Sequence, residues 1–240
     1  MSAERLDKLL ATRLLLSRKE AQAAVRAGRV TVDGAPARDP AAKADPALQT
    51  VLLDGAAVAA DQFFYLMLNK PAGVLSATED RRGDRTALDL LPAQYQKAGL
   101  GVVGRLDKDA EGLLLLTNDG ALNHRLTSPR HHAVKTYLVR TDAPADGDDA
   151  AAFAAGLALS DFTALPAGLE LLDDGRALVS IAEGKFHQIK RMFQARGKTV
   201  LALKRLSIGP LRLDEGLPPG GWRPLSEAEK QAILQLSDRL

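Results

Sequence analysis

The 240-residue chain contains no cysteine, and that absence removes disulfides, thiolate nucleophiles and cysteine zinc sites together. It also lacks any apolar run approaching the roughly 20 residues of a membrane span, so no membrane partner is expected. No long polar tract interrupts it; with 46% hydrophobic and 26% charged residues it reads as a folded, soluble chain. The opening MSAERLDKLLATRLLL carries early charges and no small-residue cleavage pattern after its apolar residues. A secretory signal is therefore not expected, and the cytoplasm is the expected compartment. His124, His131, His132 and His187 form no HExxH or HxxxH pair, and the adjacent His131-His132 is poor ligand geometry on one element. A metal hydrolase is thus disfavoured and no metal is expected.

What is present is charge sorted by segment. The formal net charge is only +2. From Asp142 to Asp174 every charged residue is acidic, whereas from Lys185 to Arg205 every one is basic. Residues 121 to 141 likewise carry Arg125, Arg130, Lys135 and Arg140 without an acid. Basic segments that converge in space bind polyanions whatever the total charge, because phosphate contact depends on the local patch.

The front of the chain reads as a small module. Leu6, Leu9, Leu10 and Leu14 recur at helical spacing and predict an amphipathic helix from residue 4 to about 14. Ser17 and Glu20 form a capping box that starts a second helix, stopped at Gly28. Val30 and Val32 then alternate with polar residues into a tight Asp33-Gly34 turn, a hairpin signal. On the second helix Ala21, Ala24 and Val25 face inward, leaving Arg18, Lys19, Arg26 and Arg29 as a basic ridge suited to a phosphate backbone. The run RLDKLLATRLLLSRKEAQAAVRAGRVTVDG resembles the small RNA-binding module first seen in ribosomal protein S-four and found in many RNA-modifying enzymes. Residues 35 to 60 are expected to complete its last strand, giving domains at 1–60 and 61–240.

Behind it, strands and helices interleave irregularly. FFYLMLNK reads as a buried strand, TALDLLPAQ as a short helix, and GLGVVG, LLLLT, KTYLVR and RALVSIA as strands. Ser226 and Glu229 predict a second capping box for a last helix from Glu227. No βαβ period repeats, so the expected class is α+β with a mixed, mainly antiparallel sheet.

One stretch is awkward for a plain turn: in GVVGRLDKDAEGLLLLTNDG five charges sit between two strongly apolar runs. Together with NKPAG, KTY and EGKFHQIKRMF, in this order after the front module, it resembles the pseudouridine synthases that act on ribosomal RNA. SPRHHAVKTYLV and EGKFHQIKRMF look most like the small-subunit (16S) enzyme. The resemblance implies an intramolecular isomerisation of uridine that needs no cofactor and no group donor. It implies Asp107 as the catalytic residue, as nucleophile or as base at the ribose, and Tyr137 as the ring that stacks on the flipped uracil.

Lys190 is the implied basic partner that keeps this carboxylate ionised and aimed, with Arg191 the competing choice or a phosphate contact. Ile208 is implied to back the base, ordinary core being the competing reading. Arg105 is implied to fill the gap left by the extruded nucleotide, and Lys70, Arg130 and Arg205 to meet phosphates. Asp109 and Glu111 read as solvated loop charges. Ala110 departs from the Ser or Thr that many relatives carry three residues after the aspartate, which removes a hydroxyl from the loop. The expected partner is ribosomal RNA, naked or in an assembling small subunit, bound by a monomer. The rival readings are a large-subunit synthase and an inactive ribosome-assembly protein on the same fold.

Overall fold

The computed structural model describes residues 3–58, 63–128 and 133–239. The domain boundary expected near Ala60, the expected contact Arg130, and His131 and His132 lie outside the described residues. Two compact units are formed by Met1–Phe63 with Leu91–Leu100, and by Phe64–Leu90 with Gly101–Leu240.

In the first unit α1 (Leu6–Arg13) and α2 (Arg18–Arg26) pack Leu6, Leu9 and Leu10 against Ala21, Ala24 and Val25, all buried. The Ser17 hydroxyl accepts the Glu20 N–H at 3.1 Å while the Glu20 carboxylate accepts the Ser17 N–H at 2.7 Å. This box satisfies two donors a helix start would otherwise leave open. Strands β1 (Val30–Val32) and β2 (Ala35–Ala37) form the hairpin, with Asp33 and Gly34 both at positive φ.

The single closing strand expected from residues 35 to 60 is instead a second hairpin, β3 (Val51–Leu53) and β4 (Ala56–Ala57). The resulting sheet has the order β2-β1-β3-β4. Asp54 and Gly55 supply the same pair of positive φ values as the first turn, from the same Asp-Gly dipeptide.

The second unit is built on a sheet of nine strands among the described residues. They are β5 (Tyr65–Lys70), β6 (Gly101–Val103), β7 (Glu111–Thr117), β8 (Lys135–Thr141), β9 (Gly168–Leu171), β10 (Ala177–Ile181), β11 (Val200–Ile208), β12 (Leu211–Arg212) and β13 (Trp222–Pro224). The order is β9-β10-β8-β11-β7-β5-β13, with β12 paired to β11 and β6 to β7. Every pairing is antiparallel except β11 with β7. Helices α3 (Gly120–Thr127), α4 (Gly147–Ala155), α5 (Gln188–Ala195) and α6 (Glu227–Arg239) cover it. The α+β class holds. The helix expected from TALDLLPAQ is broken into a 3-10 turn, Leu88–Leu90, and one helical turn, Ala93–Gln96. Pro92 between them cannot continue a helix from before it.

Two apolar clusters divide this sheet. One gathers Tyr137, Val139 and Val179 with Phe153 of α4 and Ile189, Met192 and Phe193 of α5. The other gathers Met67, Leu113 and Leu115 with Leu122 of α3 and Ile233 of α6. The halves meet at the parallel pairing, where Gly112 lies opposite Arg205. A Cβ on Gly112 would fall 2.3 Å from the Arg205 carbonyl oxygen, and its φ of +102° is itself unsuited to a side chain. Only glycine lets the two backbones approach there, and it does so immediately after the charged loop.

Candidate active site

The loop from Gly104 to Ala110 joins β6 to β7, and its carbonyls from Gly104 to Lys108 all accept hydrogen bonds. The Arg205 guanidinium donates to Gly104 O at 3.0 Å, to Arg105 O at 3.5 Å and, from Nε, to Leu113 O on β7 at 2.8 Å. The Ser76 hydroxyl donates to Leu106 O at 2.8 Å and accepts the Leu106 N–H at 3.0 Å. Ala110 N donates to Asp107 O at 3.1 Å, and Gly73 N to Lys108 O at 2.7 Å. The Lys70 ammonium reaches Val74 O at 2.7 Å, Pro71 O at 3.0 Å and Lys108 O at 3.2 Å. Arg205 and Lys70 are therefore not the phosphate contacts they were expected to be. At 1% and 0% exposure they are internal clamps on backbone oxygens. A basic side chain within a strand is legible as charge, but its inward direction is not.

Burial pushes the Lys70 pKa down to about 8, against the pull of Asp109, Glu111 and Asp107. An unfolded chain holds this proton up to about 10.5, so between these values unfolding takes up protons and the fold gains stability as pH rises. Urea denaturation at pH 7.5 and 9.5 should reveal a gain that Lys70→Met lacks; equal pH responses of the two proteins would contradict it.

The loop presents Asp107 to α5. Lys190 Nζ lies 3.0 Å from Asp107 Oδ2 and 2.6 Å from Asp109 Oδ1, bridging the two carboxylates. Burial lowers the Lys190 pKa, but the bonds to Asp109 and Asp107 outweigh it and the net shift is upward. The Lys190 hydrogen bond in turn holds Asp109 below the usual carboxylate range. Asp109 is exposed yet paired, so it is not the free loop charge expected. Arg191, one residue on, turns away: it bonds Asp161 and the Ser160 hydroxyl, the latter at 3.1 Å, with its guanidinium 5.0 Å from the Phe162 ring centre. Neighbouring helical residues diverge by about 100°. Lys190, not Arg191, is thus the cation at Asp107, and Arg191 is committed elsewhere rather than offered to phosphate.

A cleft of about 410 Å³, its open mouth included, surrounds Asp107. Leu106, Ile181, Ile189 and Leu203 make its apolar walls, with Tyr137 among them and Arg105 and Lys185 at the rim. Tyr137 is 6% exposed, and its hydroxyl has no partner among the described residues. Arg105 is exposed and likewise free of ion pairs among them. Ala110, also in the wall, is buried against Tyr137's cluster, where a hydroxyl would need a partner. Ile208 does not reach the cleft: it is buried with Met67, Leu211 and Ile233 in the other cluster. The aliphatic wall that β11 supplies is Leu203. A register shift against β8 falls between Thr136 and Tyr137, and such a bulge breaks the simple alternation from which faces are read in sequence.

Three residues of this site lie within EGKFHQIKRMF, where the motif assigns them no role at Asp107. His187, at φ 50°, places Nε2 3.5 Å from Asp107 Oδ1 and stacks on the exposed Phe186 with ring centres 3.7 Å apart. Gln188, buried, accepts the Lys185 N–H at 3.0 Å and donates to Glu183 at 2.7 Å, fixing the turn before α5. Lys185 lines the rim. The four-residue helical spacing could have found Gln188 and Met192 as one inward row, but not their bonds. Among the described residues no cluster of His, Asp or Glu could hold a metal.

In the first unit the basic ridge is partly neutralised. Arg18 pairs with buried Asp7 at 2.7 Å, and Arg29 with Asp54 through Nε at 2.9 Å. Asp7 is held well below the carboxylate range, first by the Arg5 hydrogen bond. Lys19 and Arg26 remain exposed and have no partner among the described residues.

Comparisons with known proteins place the whole chain in a family. The RNA pseudouridylate synthase family matches residues 64–195, and the S4 domain matches residues 4–48. The chain is 46% identical over 230 residues to the uncharacterized RNA pseudouridine synthase YtzG of Bacillus subtilis, covering 94% of this chain and 96% of that one. It is 44% identical over 234 residues to ribosomal small subunit pseudouridine synthase A of Salmonella typhimurium, covering 95% and 99%. A crystal structure of a pseudouridylate synthase superposes with a TM-score of 0.68 at 36% identity, covering 96% and 99% of the two chains. With more than half of its length inside the family match and nearly all of it aligned to such relatives, the chain belongs to the RNA pseudouridylate synthases, an isomerase family, and carries an S4 domain in front.

Proposed function

We propose that this enzyme converts a specific uridine of small-subunit ribosomal RNA to pseudouridine, with Asp107 as the reacting carboxylate and no cofactor. The observation that carries the reading is that Asp107 and Tyr137 line one cleft with apolar walls, with the Lys190 ammonium 3.0 Å from Asp107. The reaction breaks the bond from ribose to uracil N1 and forms one to C5; the C5 proton is released and N1 gains one. Asp107 acts at the ribose or the base while the Tyr137 ring holds the loose uracil by its flat face. Lys190, 3.0 Å from the carboxylate, holds it in position and balances its charge. Arg105, unpaired at the rim, takes the place of the flipped nucleotide. Residues 1–60 serve as the RNA anchor, with Lys19 and Arg26 as its free cations, and residues 61–240 as the catalytic domain of a monomer.

Small-subunit RNA is favoured by the name of the Salmonella relative and its nearly complete coverage. Pseudouridine mapping in ribosomal RNA from cells lacking the gene tests the assignment. One site should vanish from small-subunit RNA and return on complementation. Loss of a large-subunit site would move the substrate, and a full set of sites would overturn the reading.

A further inference from the structure

The cleft around Asp107 continues past Tyr137. A second groove of about 740 Å³, its mouth included, shares Arg105, Tyr137, Gly184 and Lys185 with the first and adds Lys135 and Arg205. Four cations thus border one groove. None of the four has an ion pair among the described residues. Arg205 spends its donors on carbonyls of the Asp107 loop and β7. Among the described residues Lys135 Nζ makes one bond, to Ala133 O at 2.8 Å, which leaves two of its three N–H donors without a partner among them. The one carboxylate lining the groove, Glu183, is already engaged: its Oε1 accepts the Leu165 N–H at 2.8 Å and the Gln188 amide at 2.7 Å. A half-buried ammonium beside a buried guanidinium, neither ion-paired among the described residues and with the Glu183 carboxylate turned to the Leu165 N–H and the Gln188 amide, suits an anion from outside.

The position of Lys135 says which anion. It stands two residues before Tyr137 on β8, and both side chains line the same groove. Along a strand that is a separation of about 7 Å, a distance one nucleotide spans between its base and its phosphate. We propose that this groove is the subsite for a backbone phosphate next to the target uridine, and that Lys135 is the residue that holds it. Resting on the proposed RNA substrate, this assigns a phosphate contact within the catalytic domain, ahead of the S4 domain's contribution. Consistent with an unmet demand for an anion, burial and then the nearby Arg205 charge push Lys135 down to about 8, with no acid opposing them.

The test uses the whole enzyme and a single-stranded oligoribonucleotide carrying the mapped uridine, with one neutral methylphosphonate moved along its backbone. In the wild type, one linkage beside the uridine should weaken binding about tenfold when neutralised, the effect of one charge-assisted contact. Lys135→Met should bind about tenfold more weakly and be indifferent to that linkage, and its plot of log affinity against log salt should flatten by about 0.7. Lys135→Arg should restore the slope; if the Met variant does not fold, Lys135→Gln serves the same comparison. A variant still sensitive to every linkage with an unchanged slope overturns the subsite. Turnover by the wild type without this coupling sinks the subsite alone, whereas no turnover on any ribosomal RNA sinks the substrate reading.

Discussion

Asp107→Asn abolishes uridine isomerisation and leaves RNA affinity within a few fold. The substitution keeps the size of the side chain and removes only its charge and basicity. The loop does not depend on that carboxylate for its shape, because its carbonyls are held by Arg205, Ser76, Gly73 and Lys70. An amide can neither attack the ribose nor accept a proton there, so the rate should fall at least about a thousandfold, as when a nucleophile or base is deleted. Tritium release from RNA labelled at uracil C5 measures it, since that hydrogen leaves only when the new bond forms. A variant releasing tritium at the wild-type rate would remove Asp107 from the chemistry.

Arg205→Met should cost about 2–4 kcal/mol of stability, because Gly104 O and Leu113 O each lose a buried donor and no water can replace it without opening the sheet. Methionine preserves most of the aliphatic stem, so packing changes little and the deficit isolates the hydrogen bonds. Activity should fall with it even well below the melting temperature, since the loop that presents Asp107 loses its fastening on the β6 side. Urea denaturation and tritium release on the same preparation check both. An unchanged midpoint would mean the carbonyls find other donors; unchanged activity at reduced stability would mean the loop holds its shape without Arg205.

These expectations divide along the line between what was legible and what was not. Local features were readable: the boxes at Ser17 with Glu20 and at Ser226 with Glu229 each lie within one turn, and both form. The ordered motifs point to Asp107, Tyr137 and Lys190; the first two line one cleft, and Lys190 is paired with Asp107. The direction of long basic side chains was not readable. Arg205 and Lys70 look like phosphate ligands in sequence, yet their ends turn inward to backbone oxygens: Arg205 to Gly104 and Leu113, far along the chain, and Lys70 to Lys108 and to its near neighbours Pro71 and Val74. Ile208 was misplaced for a related reason, as the shifted pairing at Tyr137 alters which residues of β11 share a face with it. For His187 the residue is plain in sequence but its place beside Asp107 is not, since that follows from a left-handed backbone step which its residue type does not announce.

The twofold attachment of Lys190 has a consequence for the catalytic cycle. If Asp107 gives up its negative charge partway through turnover, whether by bonding to the sugar or by taking a proton, the ammonium is not set adrift, because Asp109 still moors it. The cation then waits in place for the carboxylate to reappear, and the enzyme resets without having to rebuild its own electrostatics.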